Sequence, residues 1–339
     1  MKPYRITCVQ SDIRHVMNLA AKKETVGENL NRCLELIDGT VPATNSKIVV
    51  FPEFFLTGYS PYRTLEDWLE VSIKIPGEET DKLSEKAHQY GIYIAGNNYE
   101  VDDDWPDRFF HTSFIIGPEG KVILKHRTIN VTSSALSIAT SPADIYTEYI
   151  KKYGQKGLFP VVDTPLGKLA CFDGDIFVPE TTRCFMLSGA EVFLLPLTAG
   201  SAYMAREVAM VRACDNMAYV AVAGAGEMLN LPMPRDAASG QSLIIDFEGK
   251  VIEESKTLGE SIVSGLVDID RLREARSRPV YNLLAMLRSS LYAPIYKSMD
   301  LWPLDGWVDK PIKDRGEALA VVNKVLDELY KKGIIVKPS

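Results

Sequence analysis

The sequence is poor in the residues that usually announce a metal or redox protein. It has four histidines and five cysteines in 339 residues, and no CxxC pair. Cys8, Cys33, Cys171, Cys184 and Cys214 are odd in number and irregular in spacing, which argues against a disulfide framework and a thiolate zinc site. No apolar run reaches the ~20 residues that a membrane-spanning helix needs, so no membrane association is expected. A net charge of −7 leaves no basic footprint, and nucleic acid is not an expected partner. There is no proline- or glycine-rich linker, no short repeat and no signal-peptide pattern, so a soluble cytoplasmic protein is expected. What is present is ordinary globular material, 46% apolar and 24% charged, long enough to bury a large core.

Strand and helix patterns alternate along most of the chain. Residues 5–9 read as an opening strand, and 22–36 as an amphipathic helix. Residues 47–51 are a continuous apolar strand of the kind buried on both faces. It runs into Pro52-Glu53-Phe54, which puts Glu53 just past a strand's carboxyl end, where α/β layers usually bind ligands. A helix over 81–90 and a strand over 92–99 follow, then a hairpin of 111–116 and 122–125 turning at Gly117-Pro-Glu-Gly120. Residues 128–142 form a polar loop long enough to wall a pocket. A helix over 143–153 and a hairpin of 159–162 and 169–172 come next. Then come a strand over 192–196 and a long helix over 202–217 with Met204, Val208, Val211 and Met217 on its apolar face. A strand over 219–223, a hairpin of 243–246 and 251–254, a last strand over 261–269 and a basic helix from Leu272 complete the pattern. Near Pro279 the composition turns to aromatics and proline (Tyr292, Tyr296, Trp302, Trp307), before a charged helix over 315–332. The expected division is a domain over 1–278 and an extension over 279–339 that packs on a partner subunit or on its own domain.

The stretch Gly167-Lys-Leu-Ala-Cys-Phe-Asp-Gly-Asp-Ile-Phe-Val-Pro-Glu180 organises the rest. A buried strand breaks at Asp173-Gly174 into a helix that opens with Pro179, and Glu180 suits the positive end of its dipole. Such an elbow holds one side chain in a fixed pose above a sheet, as nucleophiles are often mounted. Two residues compete for that place, Cys171 and Asp173.

Three segments, in order, resemble the nitrilase superfamily of carbon–nitrogen hydrolases. They are Val50-Phe-Pro-Glu-Phe-Phe-Leu-Thr-Gly58, Gly120-Lys-Val-Ile-Leu-Lys-His-Arg-Thr128 and the elbow. The resemblance implies a four-layer αββα nitrilase-type sandwich that pairs with a second subunit, hence a homodimer or larger homo-oligomer. It also implies a glutamate–lysine–cysteine centre acting on a small amide or nitrile. Ser141-Pro-Ala-Asp-Ile-Tyr146, Asp175-Ile-Phe-Val-Pro-Glu180 and Leu291-Tyr-Ala-Pro294 resemble a divergent branch in which the elbow often carries another residue.

The departures from the family pattern bear on the chemistry. The family's lysine follows an aromatic–arginine pair, and here His126-Arg127 is followed by Thr128. Lys125 lies three residues earlier, with the opposite parity on a strand. The family's cysteine lies six residues before the helix-opening proline; six before Pro179 is Asp173, and Cys171 is two too early. The expected centre is therefore Glu53, Asp173 and Thr128. The two carboxylates would form an acid/base pair in a low-dielectric pocket, and Thr128 an uncharged hydrogen-bond donor. The same carboxylates, with Asp175 as a third oxygen ligand, could hold a cation. With no histidine near them in sequence, no metal and no cofactor is expected, and His15, His88, His111 and His126 are assigned no role. Glu53 could also be merely ion-paired with Arg127. Two other functions are open: a non-catalytic nitrilase-like protein that binds a small ligand or a partner, and a conventional thiol amidase using Cys171 and Lys125.

Overall fold

Val49 and Phe51 face one way along the strand Ser46–Glu53, Ile48 and Val50 the other, and all four are fully buried. A strand covered on both faces must lie between two layers, and this one fixes the architecture. The computed structural model describes residues 1–59, 63–131, 137–198, 205–232, 234–235 and 240–338, Ala205 by its backbone alone. The strands are β1 (Tyr4–Gln10), β2 (Ile13–Arg14), β3 (Ser46–Glu53), β4 (Tyr93–Val101), β5 (Phe109–Ile116), β6 (Val122–Arg127) and β7 (Val162–Thr164). They continue with β8 (Gly167–Cys171), β9 (Val192–Pro196), β10 (Tyr219–Ala223), β11 (Met228–Leu229), β12 (Leu243–Ile245), β13 (Val251–Glu254) and β14 (Ser261–Val267). Two six-stranded mixed sheets form, in the orders β14-β1-β3-β4-β5-β6 and β13-β12-β10-β9-β8-β7.

The sheets face each other across a core that includes Ile6, Ile48, Val50, Cys171, Leu194 and Ala221. The outer face of the first sheet is covered by α1 (Lys22–Thr44) and α3 (Glu78–Tyr90), with α2 (Leu65–Val71) beside them. The outer face of the second is covered by α5 (Pro179–Leu187) and α6 (Ala205–Asn216), and α4 (Tyr146–Tyr153), α7 (Ile269–Ser277) and α8 (Ser289–Ser298) complete the series before the last helix. The result is the four-layer αββα sandwich that the resemblance implies. Among the described residues no helix is long and apolar enough to cross a membrane.

Three local expectations change. The helix expected to stop near Leu36 runs on through Gly39 and Pro42 to Thr44, and ends at Asn45 in the left-handed conformation. An internal proline costs about 3 kcal/mol, but burying Ile37 and Val41 returns roughly 1.5–3 kcal/mol each. Val211 is exposed rather than part of the packing face of α6. The buried positions there are Ala209 and Ala213, whose small side chains let the helix approach the sheet closely. Residues 202–204 of the expected helix, with Met204, lie outside the described residues. The extension divides between two situations. Trp307, Ile312 and Ala318, the last on α9 (Arg315–Lys331), join the outer core of the first sheet, and Arg108 donates to the carbonyls of Trp307 and Val308, each at 2.7 Å. The helix Ser289–Ser298 instead presents Leu291 and Ile295 at its surface.

His15 ties β2 to the segment after β3. Its Nδ1 lies 2.8 Å from both the N and the O of Tyr59, and its Nε2 is buried without a partner among the described residues. Gly58, at φ 68, is the only type of residue that fits beside it, since a Cβ there would lie 2.6 Å from the His15 Cα. Burial, with the Arg63 guanidinium adding to it, pushes the imidazole down from 6.5 to about 4. The folded state thus prefers the neutral ring. Its contribution is fully present above pH 6.5 and is lost as pH falls from 6.5 through about 4, amounting to about 3 kcal/mol. Urea denaturation at pH 7.5 and pH 4.5 should show His15→Asn losing about that much less stability than the native chain over this interval. An equal loss in both would assign the acid sensitivity elsewhere.

Candidate functional site

The carboxyl end of β3 on one sheet meets those of the parallel pair β8 and β9 on the other, and the candidate residues collect there. Glu53 closes β3, after a shift in the register against β4 between Val50 and Glu53. Phe54 follows at φ 53, and its N–H donates to the carbonyl of Asn97 on β4 at 2.8 Å. On the second sheet, β8 ends at Cys171, and Asp173 caps a short 3-10 turn, Gly174–Phe177, before Pro179 opens α5. The Asp173 carboxylate crosses to the first sheet. Its Oδ2 accepts from Asn97 Nδ2 at 3.1 Å and from Thr128 Oγ1 at 2.5 Å. Thr128 is itself anchored by its N–H to the carbonyl of His111, at 3.0 Å. Thr198, two residues beyond β9, donates to Glu53 Oε2 from its backbone N at 3.2 Å and its hydroxyl at 2.6 Å.

The structure therefore brings Glu53, Thr128 and Asp173 together, and adds His111, to which the sequence reading gave no role. A carboxylate oxygen of Glu53, one of Asp173 and a ring nitrogen of His111 all lie within 4.8 Å of one another, and all three residues are buried. A signal for His111 was present. His111-Thr112-Ser113 are three polar residues in a row inside a strand that is otherwise apolar, and all are buried on β5. Buried polar side chains need partners, so such a run marks a polar pocket. Thr198 carried a fainter one, its place just past the carboxyl end of an apolar strand.

The remaining candidates point elsewhere. Cys171 Sγ lies in the core between the sheets, 4.0 Å from the Gly96 carbonyl, and burial pushes its thiol far above the usual range, with the Asp173 charge adding to this. Lys125 and Arg127 share the opposite face of β6 from Thr128. Lys125 Nζ meets the Ile75 carbonyl at 2.8 Å and Glu100, and Arg127 Nε meets Glu100 Oε2 at 3.1 Å while its other nitrogens reach Asp102 and Tyr153. The ion pair considered between Glu53 and Arg127 is thus replaced by Arg127 with Glu100 and Asp102. Asp175 does not join as a third oxygen. Its Oδ2 accepts from Ile129 N at 2.9 Å, and its Oδ1 from Asn130 N at 3.3 Å and Asn130 Nδ2 at 2.8 Å. Asn130 and Val131 begin the expected pocket wall; residues 132–136 of that loop lie outside the described residues.

The electrostatics follow from burial. Burial pushes Glu53 up to about 7, and the two hydrogen bonds from Thr198 only partly oppose this. Burial also pushes Asp173 well above the carboxylate range, reinforced by the nearby charges of Glu53 and Asp175 and opposed by the Thr128 hydrogen bond. His111 is pushed down to about 3 by burial, so its ring is neutral. Two carboxylates in a dry site share the problem that both cannot ionise cheaply, which keeps one proton or one positive ligand between them.

Comparison with known proteins gives the setting. Residues 5–277 match the family model described as carbon–nitrogen hydrolase. The chain is 30% identical over 262 residues to the omega-amidase NIT2 of Xenopus tropicalis, covering 74% of this chain and 87% of that protein. It is 28% identical over 305 residues to the omega-amidase NIT2 of Homo sapiens, covering 86% and 98%. Its structure is similar to Saccharomyces cerevisiae Nit3, a member of the nitrilase superfamily, with a TM-score of 0.64, 23% identity and coverage of 83% of this chain and 96% of that one. It is also similar to the amidase from Nesterenkonia sp. AN1, with a TM-score of 0.56, 16% identity and coverage of 86% and 99%. That amidase is known with acrylamide added at its active site cysteine.

Proposed function

The chain belongs to the carbon–nitrogen hydrolase family, and from that membership we infer that it hydrolyses a C–N bond of a small amide or related compound without a thiol nucleophile. One observation carries the reading. The side chain at the top of the elbow is the buried carboxylate of Asp173, facing Glu53 with neither a sulfur nor an ammonium beside them among the described residues. The omega-amidase relatives support an amide as the substrate class.

The geometry suits attack by water. Glu53, held at Oε2 by Thr198, takes a proton from a water whose oxygen adds to the carbonyl carbon. Asp173, protonated in this site, passes its proton to the departing nitrogen as the C–N bond breaks. The products are a carboxylic acid and an amine or ammonia, and the net change is addition of one water. Thr128 acts here as a positioning residue, because its hydroxyl is committed to Asp173 Oδ2.

Thiol chemistry supplies the first test. A panel of small amides, assayed before and after iodoacetamide treatment, should show turnover that survives the reagent. Turnover lost together with alkylation of Cys171 would restore the conventional amidase. Thr128→Val removes a hydrogen bond to a carboxyl group, worth ~1.5–3 kcal/mol, and should lower kcat about 10–100-fold and the thermal unfolding midpoint by a few degrees. An unaltered kcat would remove Thr128 from the site's machinery.

A further inference from the structure

Glu53, His111 and Asp173 share a pattern that acid/base chemistry alone does not require. On each, the described residues bond one polar atom and show no well-formed hydrogen bond to the other. Among the described residues both hydrogen bonds to Glu53 go to Oε2. The two well-formed hydrogen bonds to Asp173 go to Oδ2, and its fully buried Oδ1 has only a loose approach from the Asp175 N–H among the described residues. His111 Nε2 lies 3.1 Å from Ser137 Oγ, and nothing among the described residues bonds its Nδ1. A carboxylate oxygen so loosely partnered in a residue only 1% exposed is costly, and it calls for a partner supplied from outside the chain.

We propose that Glu53, His111 and Asp173 form a binding site for one divalent transition-metal ion. The reading concerns the same three side chains as the proposed hydrolysis but rests on their geometry alone, and in the ion-bound chain Glu53 and Asp173 are ionised ligands rather than the proton acceptor and donor described above. Ligand atoms about 2.0–2.2 Å from a shared ion lie roughly 3–4 Å apart, so groups already within 4.8 Å of one another need only small side-chain rotations to close on it. One imidazole and two carboxylates, with no thiolate, match Zn²⁺, Co²⁺ and Mn²⁺ and disfavour Cu⁺. The hydrogen bonds on the far side of each ligand are the kind that orient metal ligands. Ser137 Oγ, 3.1 Å from His111 Nε2, holds the ring in place, and Thr128, Asn97 and Thr198 hold the two carboxylates. Three protein ligands leave a position for water or substrate, as hydrolytic metal sites do.

The test titrates the full chain, stripped with EDTA, with Co²⁺ and with Zn²⁺. It reads calorimetric stoichiometry and the visible absorption of protein-bound Co²⁺. The expected result is one ion per chain, binding lost in His111→Ala, and affinity lowered about 10–100-fold in Ser137→Ala. Ser137→Ala keeps the test decisive should His111→Ala fail to fold. No binding to the native chain, or binding that both variants leave unchanged, overturns the proposal. Because the titration needs no turnover, its result is independent of the hydrolysis. A chain that binds the ion and cleaves no amide sinks the proposed function alone. Turnover that survives EDTA in a chain that binds no ion sinks this proposal alone.

Discussion

Asp173→Asn should lower kcat about 10²–10⁴-fold on whichever amide the native chain turns over, while Cys171→Ala leaves kcat within about threefold. The asymmetry follows from where the two side chains lie. Asn keeps the shape of Asp173 and can still accept from Thr128 and Asn97, but it cannot deliver a proton or carry a negative charge. Cys171, two residues earlier, faces the core between the sheets and its thiol is held in the protonated form by burial. A thiol that stays protonated is a poor nucleophile. Its removal should register as stability, about 1–2 kcal/mol for the small void, read by thermal unfolding of both variants beside the kinetics. The opposite outcome, with turnover abolished by Cys171→Ala and retained in Asp173→Asn, would return the elbow to the sulfur.

Arg127→Met should cost about 3–5 kcal/mol of stability, the largest single effect expected outside the site. Arg127 is almost wholly buried and lies over the Phe110 ring, 3.9 Å from its centroid, with Glu100 and Asp102 against its nitrogens. Glu100 is fully buried, so losing the guanidinium leaves its charge with Lys125 and the Thr112 hydroxyl alone. Lys125 reaches the same carboxylate from a partly exposed position, and Lys125→Met should cost about 1 kcal/mol. Urea denaturation measures both. The double variant Arg127→Met, Glu100→Gln should recover part of the loss, because it removes the buried charge along with its partner. A fall in kcat of more than 100-fold in Lys125→Met, at unchanged stability, would instead assign that ammonium to the reaction.

The layers of the fold were legible because they depend on local pattern. The continuous apolar runs of β3 and β9 and the Gly-turn hairpin of β5 and β6 each specify an element without help from distant residues. Parity on β6 likewise separates Lys125 and Arg127 from Thr128. The boundaries that shifted did so where burial outweighed propensity, as at Gly39 and Pro42 in α1. Similarly, Val211 satisfies helical spacing, yet the face of α6 that packs is set by Ala209 and Ala213, which allow the closer approach.

By itself the sequence determined the alternation of elements and the strand-end position of Glu53, and it led to Asp173 by counting back from Pro179 and to the uncharged Thr128 in the place of the family's lysine. Only the tertiary structure decided that His111 belongs with them, that Thr198 holds Glu53, and that Arg127 answers Glu100 rather than Glu53. The reason is physical. A turn or a strand is set by neighbours a few residues away. The distance between Glu53 and His111 depends on the registers of β3 on β4 and of β4 on β5, and Asp173 meets them only when the second sheet packs on the first. Those alignments are fixed by the packing of whole sheets, which no short stretch of sequence encodes.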